Sequence, residues 1–132
     1  MEHTITFDSN NGQFNIKTRG DGDVTSVVAF FKNIITHPEW KPGLNILMDH
    51  RELKIDTLEM AGIQSISRRF KKIGPKLGDG KLALVMKRDI DFGLARTWEI
   101  LTAEAVDIAI EVFRSMDEAS RWLALKVSGR IG

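Results

Sequence analysis

The sequence predicts an α/β fold in which an N-terminal hairpin leads into a mostly parallel five-stranded sheet flanked by about four helices. Two observations carry this prediction. First, apolar side chains alternate or form short runs in five strand-like segments, and they recur with a period near 3.6 in four helix-like segments. Second, the strand-like and helix-like segments alternate along the chain after the hairpin. No linker, internal repeat or low-complexity tract interrupts the chain, so residues 1–132 are expected to form a single domain.

The hairpin and the first helix come first in the chain. Residues 3–7 and 13–18 alternate apolar and polar side chains like half-buried strands, and the sequence SNNG at 9–12 supplies turn residues between them. From residue 24 to residue 35 apolar side chains follow the i, i+3, i+4, i+7 pattern of an amphipathic helix, and Pro38 marks its end.

The other three strands are predicted at residues 44–49, 81–86 and 108–113, where short apolar runs indicate buried strands. Helical segments separate these runs. A hairpin followed by alternating helices and strands implies that these strands pair in parallel, through right-handed crossovers.

The remaining three helices each follow one of these strands. Asp56 and Glu59 have the spacing of a capping box, which predicts the start of the second helix, and Ser115 and Glu118 repeat that spacing at the start of the last helix. The third helix is expected from about residue 92 to residue 105. Its apolar face is predicted to contain Leu94, Ala95, Trp98 and Leu101.

Composition limits the class of protein. The net charge is +1, with 42% hydrophobic and 28% charged residues, as in an ordinary globular domain. This balance gives no overall field to attract nucleic acid, so no nucleic-acid partner is expected. The chain has no cysteine, no secretory signal pattern at its start, and no apolar run near the roughly 20 residues of a membrane-spanning helix. We therefore expect a cytoplasmic protein.

Two stretches, DFGLAR at 91–96 and HRELK at 50–54, look like kinase motifs. However, Glu52 stands where the catalytic Asp belongs, Thr57 stands where the metal-binding Asn belongs, and no G-x-G-x-x-G loop is present. The three histidines also lack the spacing of metal ligands. Kinase activity, a bound metal and a cofactor are therefore not expected.

Several stretches are similar to the STAS domain: IDT at 55–57, PEWKPGLNILMD at 38–49, DFGLARTWE at 91–99 and VFRSMDEASRWL at 112–123. More narrowly, the chain resembles the small, stand-alone SpoIIAA-like (anti-sigma-factor-antagonist-like) proteins over nearly its whole length. The resemblance implies a STAS-like α/β fold and a non-enzymatic binding or regulatory role. It also implies that DFGLAR begins the third helix, with Asp89 or Asp91 as its cap.

Thr57 is the phosphorylation candidate that the resemblance implies. In the signalling members of the family, a Ser or Thr at the amino end of the second helix accepts phosphate from a partner kinase. Thr57 matches that position, although Leu58 and Glu59 replace the small residue and Gly that usually follow. The alternative interpretation is that Asp56 and Thr57 only begin a helix. A protein partner or a homodimer is expected on the signalling interpretation.

The polar cluster DHRE at 49–52 lies at the carboxyl end of the third predicted strand, where open α/β sheets bind ligands. Asp49, His50 and Arg51 are therefore ligand-binding candidates. Asp49, His50 and Glu52 have the chemistry to move protons, so an enzyme that uses this loop is an alternative function. A solvated, ion-paired loop is the simpler interpretation.

The third predicted helix carries more large apolar side chains than one inward face requires. STAS-like folds resemble some lipid-carrying α/β domains, so a carrier or sensor of a small apolar, lipid-like ligand is another alternative. We predict a pocket beneath this helix lined by Phe92, Trp98 and Leu101, with Arg96 at its rim to meet a polar head group. The competing interpretation is that these aromatic residues are ordinary core.

The segment RRFKKIGPK at 68–76 ends an amphipathic helix. Its basic side chains predict weak, peripheral contact with an anionic membrane surface. The alternative is that cations near a helix carboxyl end only complement the helix dipole. The membrane candidates are Arg68, Arg69, Lys71 and Lys72.

Overall fold

The computed structural model describes residues 1–125, which form one five-stranded sheet with the strands side by side in chain order. The first two strands pair antiparallel and the other neighbours pair parallel. The predicted hairpin and mostly parallel sheet are therefore confirmed. The strands are β1 (Glu2–Asp8), β2 (Gln13–Asp21), β3 (Asn45–Lys54), β4 (Lys81–Val85) and β5 (Ala109–Phe113).

Within residues 1–125, four α-helices flank this sheet, as predicted. Three of them pack on one face of the sheet and the fourth packs on the other. Each crossover from β2 to β5 advances by one strand in the same direction, so its helix stays on the same face. The helices are α1 (Val24–Ile35), α2 (Glu59–Leu77), α3 (Asp89–Thr102) and α4 (Met116–Ala124), and short 3₁₀ turns occur at Asp56–Leu58 and Ala103–Ala105.

The two faces of the sheet carry cores of different size, because successive strand residues point to opposite faces. The larger core, under α1 to α3, contains inward strand residues and the rings of Phe30, Phe31, Phe70 and Trp98. The smaller core, under α4, contains Leu47, Ala83, Val85, Ala119 and Leu123.

The amino ends of the parallel strands are closed by tight backbone packing. Gly78 has a φ of +80°, and a Cβ there would overlap the backbone nitrogen of Gly43. A Cβ on Gly80 would lie 2.6 Å from the carbonyl oxygen of Gly43. Glycine is required at both positions because no side-chain carbon fits. The side chain of Asn45 completes this end, since its Oδ1 accepts from the Lys81 N–H at 3.0 Å.

The third strand is longer than predicted and changes the interpretation of the DHRE cluster. β3 continues to Lys54, which pairs with Asp21 of β2, so residues 49–52 are strand and not a loop. The apolar run stops at Met48, but backbone pairing with β2 continues beyond it. Periodicity of apolar residues could not detect that continuation.

The predicted capping box at the start of the second helix is absent. A 3₁₀ turn precedes α2, and the described residues provide no side-chain hydrogen bond to its first turn. The carboxylate of Asp56 instead accepts from Arg88 at 2.7 Å. At α4 the predicted start is confirmed, because Ser115 Oγ accepts from the N–H of Glu118 at 3.3 Å.

Helix α3 differs from its prediction in both position and orientation. It begins at Asp89 without a side-chain cap from the described residues, so neither Asp89 nor Asp91 caps it. Its buried face consists of Asp91, Ala95, Trp98 and Thr102, and Leu101 is 39% exposed. Two of these four buried residues, Asp91 and Thr102, are polar, so the pattern of apolar residues does not reveal which face of α3 is buried.

Candidate functional site

An apolar cavity of about 60 Å³ lies at the carboxyl ends of β3 and β4, beneath α1, α2 and α3. In the sheet that residues 1–125 form, strand order nowhere reverses, and such a reversal is where open α/β sheets usually bind ligands. The apolar space lies under the helices instead. Its walls include Phe30, Phe31, His50, Ile66, Ala95 and Trp98.

His50 is the titratable residue in this wall. Its side chain lies on the inward face of β3, is 5% exposed, and packs its ring against Phe30 at 5.8 Å between centroids. Nδ1 lies 2.6 Å from the hydroxyl of Thr18, which is fully buried. Burial lowers the pKa of His50 to about 4, although the nearby charge of Asp49 acts in the opposite direction. The imidazole is therefore neutral at pH 7.

Thr18 is a residue that sequence analysis missed. It follows Phe14 and Ile16 on the inward face of β2, beside a shift in register between Lys17 and Arg19. A hydroxyl at an inward position needs a partner because burial removes its water. Every second residue of β2 points inward, so continuing this alternation from Phe14 and Ile16 to residue 18 could have identified Thr18.

Trp98 contributes the largest ring in the cavity wall. It stacks on Phe31 at 6.4 Å and meets Phe70 edge-on at 5.0 Å. Its indole Nε1 is buried and has no hydrogen-bond partner among residues 1–125. A buried donor without a partner typically costs about 1–3 kcal/mol. By contrast, Nε1 of Trp40 donates to the carbonyl of Lys76 at 3.0 Å.

The other residues predicted for the pocket under α3 lie elsewhere. Phe92 packs under the guanidinium of Arg114, 5.3 Å from its ring centre. Arg96 is exposed and pairs with Glu99 at 3.0 Å. With Leu101 partly exposed, Trp98 is the one of the four that contacts the cavity.

The structure separates the residues of the DHRE cluster. Asp49 and His50 are neighbours in a strand, so their side chains point to opposite faces of the sheet. Asp49 is held by Arg51 through Nε at 2.8 Å and Nη2 at 2.9 Å, and this partner lowers the pKa of the Asp49 carboxyl. Glu52 pairs with Lys17 at 3.1 Å. The geometry does not form the proton relay of the enzyme alternative.

Asp91, the Asp of the kinase-like DFGLAR stretch, fixes the end of β3 beside the cavity. It is 1% exposed and accepts from the backbone N–H of Ile55 at 2.9 Å and from Arg88 Nε at 2.6 Å. Arg88 also bridges to Asp56, and this contact lowers the pKa of Asp56. Ile55 and Leu58 line the cavity, so the network positions that part of its wall.

Thr57 lies in the 3₁₀ turn before α2 and is exposed. The next residue, Leu58, contacts the cavity. Thr57 is therefore accessible to a modifying enzyme, and its phosphorylation stays a prediction.

The basic residues predicted for membrane contact all lie on α2, and they split into two pairs. Arg69 and Lys72 line a surface groove between α1 and α2, whereas Arg68 and Lys71 lie outside it. None of the helices within residues 1–125 combines the length and apolar character needed to cross a membrane. Across the same part of the chain, no three acidic or histidine side chains converge in a way that could hold a metal ion.

The sequence matches no protein-family model. It also matches no curated protein. A solved structure with similar architecture is that of an uncharacterized protein of the DUF3478 family with a SpoIIAA-like fold, from Shewanella loihica PV-4. The two chains are 15% identical, 93% of each is covered, and the TM-score is 0.58. This likeness confirms the predicted SpoIIAA-like fold.

Proposed function

We propose that this chain is a non-enzymatic binding domain that holds the apolar part of a small ligand in the cavity between the sheet and helices α1 to α3. The observation that carries the proposal is the apolar cavity beside Trp98, whose buried indole N–H lacks a partner in the described chain. Ligand sites are usually concave and mostly apolar, with few polar groups. A volume of about 60 Å³ suits a few carbons at the end of a chain.

The polar groups of the wall favour a neutral ligand end. His50 is uncharged at pH 7, so it offers no countercharge to a carboxylate or an amine inside the cavity. An ion moved into this apolar space would lose its hydration without compensation. The part of the ligand that enters is therefore uncharged and mostly apolar.

The arrangement around His50 supports binding over catalysis. Its hydrogen-bonded partner, Thr18, is fully buried, and Asp49 lies on the other face of the sheet. A nucleophile that no substrate can reach does not act, even with a base 2.6 Å away. The buried pair instead satisfies two polar groups inside the core.

Trp98 fluorescence provides the test of the binding proposal. In a Trp40→Phe/Trp122→Phe background, Trp98 is the remaining tryptophan and its emission reports the cavity wall. Titration with 1-decanol is expected to shift this emission and to saturate. Ala95→Val, which adds two methyl groups at the wall, should weaken the response. Gly93→Ala, on the same helix, places its Cβ in open space and should leave the response unchanged. An emission spectrum that 1-decanol does not alter would contradict the proposal.

A further inference from the structure

The groove between α1 and α2 adjoins the cavity. It has a volume of about 320 Å³ and an apolar floor that includes Phe70 and Ile73. Phe31 and Ile66 line both the groove and the cavity, so these two side chains form the wall between the two spaces. A ligand that extends from the groove into the cavity must pass these two side chains.

Three cations rim this groove: Lys32 from α1, and Arg69 and Lys72 from α2. All three are exposed, and none forms an ion pair with any residue in 1–125. The groove therefore combines an apolar floor with uncompensated positive charge at its edge.

The helix dipole accounts for Lys32, which lies in the last turn of α1, but it does not account for Arg69 and Lys72. Its effect is confined to the first and last turns of a helix. Helix α2 ends at Leu77, and its last turn contains Lys76 as its basic residue. Arg69 and Lys72 lie before that turn. The acidic residue of α2, Glu59, lies at the opposite end of the helix.

We infer that this groove is the head-group site of the same ligand, and that the ligand is a single-chain anionic amphiphile. Its carboxylate or phosphate contacts Lys32, Arg69 and Lys72 at the rim, its chain lies along the groove, and its end passes Phe31 and Ile66 into the cavity. This inference rests on the proposed function, because the cavity must accept the end of the chain. Charge complementarity selects the head group, and the apolar floor selects the chain.

Decanoate and 1-decanol, which share one chain and differ in head-group charge, form the matched probes for this site. Isothermal titration calorimetry is expected to show tighter binding of decanoate. The Arg69→Gln/Lys72→Gln variant should weaken decanoate binding about fivefold to tenfold and leave 1-decanol binding unchanged. Arg68→Gln/Lys71→Gln removes the same charge from the same helix outside the groove, and it should change either affinity less than about twofold.

The outcomes separate this inference from the proposed function. If neither probe binds, the proposed function and the inference both fail. If both bind equally and neither variant matters, the cavity remains a binding site and the head-group assignment fails. Equal losses in the two variants would overturn the assignment, because they would indicate a general charge effect. Binding to phosphatidylglycerol vesicles without binding to decanoate would also overturn it and make the groove a membrane contact.

Discussion

The two ends of the parallel strands are built in opposite ways. At the amino ends, backbone meets backbone around Gly43, Gly78 and Gly80, where no Cβ fits. At the carboxyl ends, large side chains from three helices leave an apolar space. The tryptophans repeat the contrast: Nε1 of Trp40 donates to the carbonyl of Lys76 near the closed end, whereas Nε1 of Trp98 has no partner among the described residues.

This difference separates the parts of the molecule that stabilise the fold from the part that is free to bind. The closed end is also held by the side chain of Lys81, which donates to the carbonyl of Trp122 at 2.7 Å and so fixes the end of α4. Close packing leaves no room for a ligand. An incompletely filled space costs stability, and proteins retain such sites where function requires them. The contrast can be tested at each end.

The largest effect is expected at the closed end. Gly78→Ala places a methyl group against the backbone of Gly43 and forces a side chain into a positive-φ conformation. We expect a loss of about 3 kcal/mol or more in the free energy of unfolding, measured by urea denaturation. Gly93→Ala is the control, since its methyl group enters open space on α3, and it should stabilise by about 0.5–1 kcal/mol. A Gly78→Ala variant as stable as the wild type would mean that this end is not closed.

The next largest effect is a pH dependence of stability, which arises at the carboxyl ends of the strands, where the cavity lies. The folded protein holds His50 neutral with a pKa of about 4, below its ordinary value of 6.5, so the unfolded chain binds a proton first as the pH falls. Stability should therefore decrease between pH 6.5 and pH 4, by at most about 3 kcal/mol from this residue.

The measurement for His50 is the free energy of unfolding at pH 7 and at pH 4.5. The difference should be smaller in His50→Gln than in the wild type, because the amide does not titrate. Equal pH dependence in the wild type and His50→Gln would refute the assignment.

The smallest effect compares two buried alanines. Ala95 lies in the cavity wall, and Ala83 lies on β4 in the tight core under α4. Ala95→Val should stabilise the protein by about 1 kcal/mol because the added methyl groups fill empty space. Ala83→Val should destabilise it by about 1–3 kcal/mol because the same groups overpack the core. Thermal unfolding followed by circular dichroism measures both changes, and opposite signs are the decisive result.

The sequence was a good guide to the fold because apolar periodicity marks the faces that pack. It identified both strands of the hairpin, three parallel strands and four helices. It did not find the polar residues that are buried through distant contacts. Asp91 is buried because it accepts from the N–H of Ile55, and Thr102 because its hydroxyl lies 2.6 Å from that of Ser67. These partners lie 36 and 35 positions away, so no local pattern reveals them.

The candidate site was predicted less completely than the fold. Trp98 and His50 were both named, and both contact the cavity, but they were assigned to two different sites. His50 of β3 and Trp98 of α3 meet at the same cavity only because the crossover connections place α3 over the sheet beside β3. Asp49 and Arg51 were grouped with His50 because the cluster was taken for a loop. In a strand, alternation places them on the other face of the sheet.

The chain order of the strands has a consequence for biosynthesis. Each new strand from β2 to β5 pairs with the one made just before it, so the sheet can grow at one edge as the chain emerges from the ribosome. No early strand must wait for a late one to be inserted beside it, which keeps loop closures short for a parallel sheet. Among the elements in residues 1–125, helix α4 is made last, and until it docks, the nascent sheet exposes Leu47, Ala83 and Val85. Such transiently exposed apolar surface makes a folding intermediate prone to aggregation.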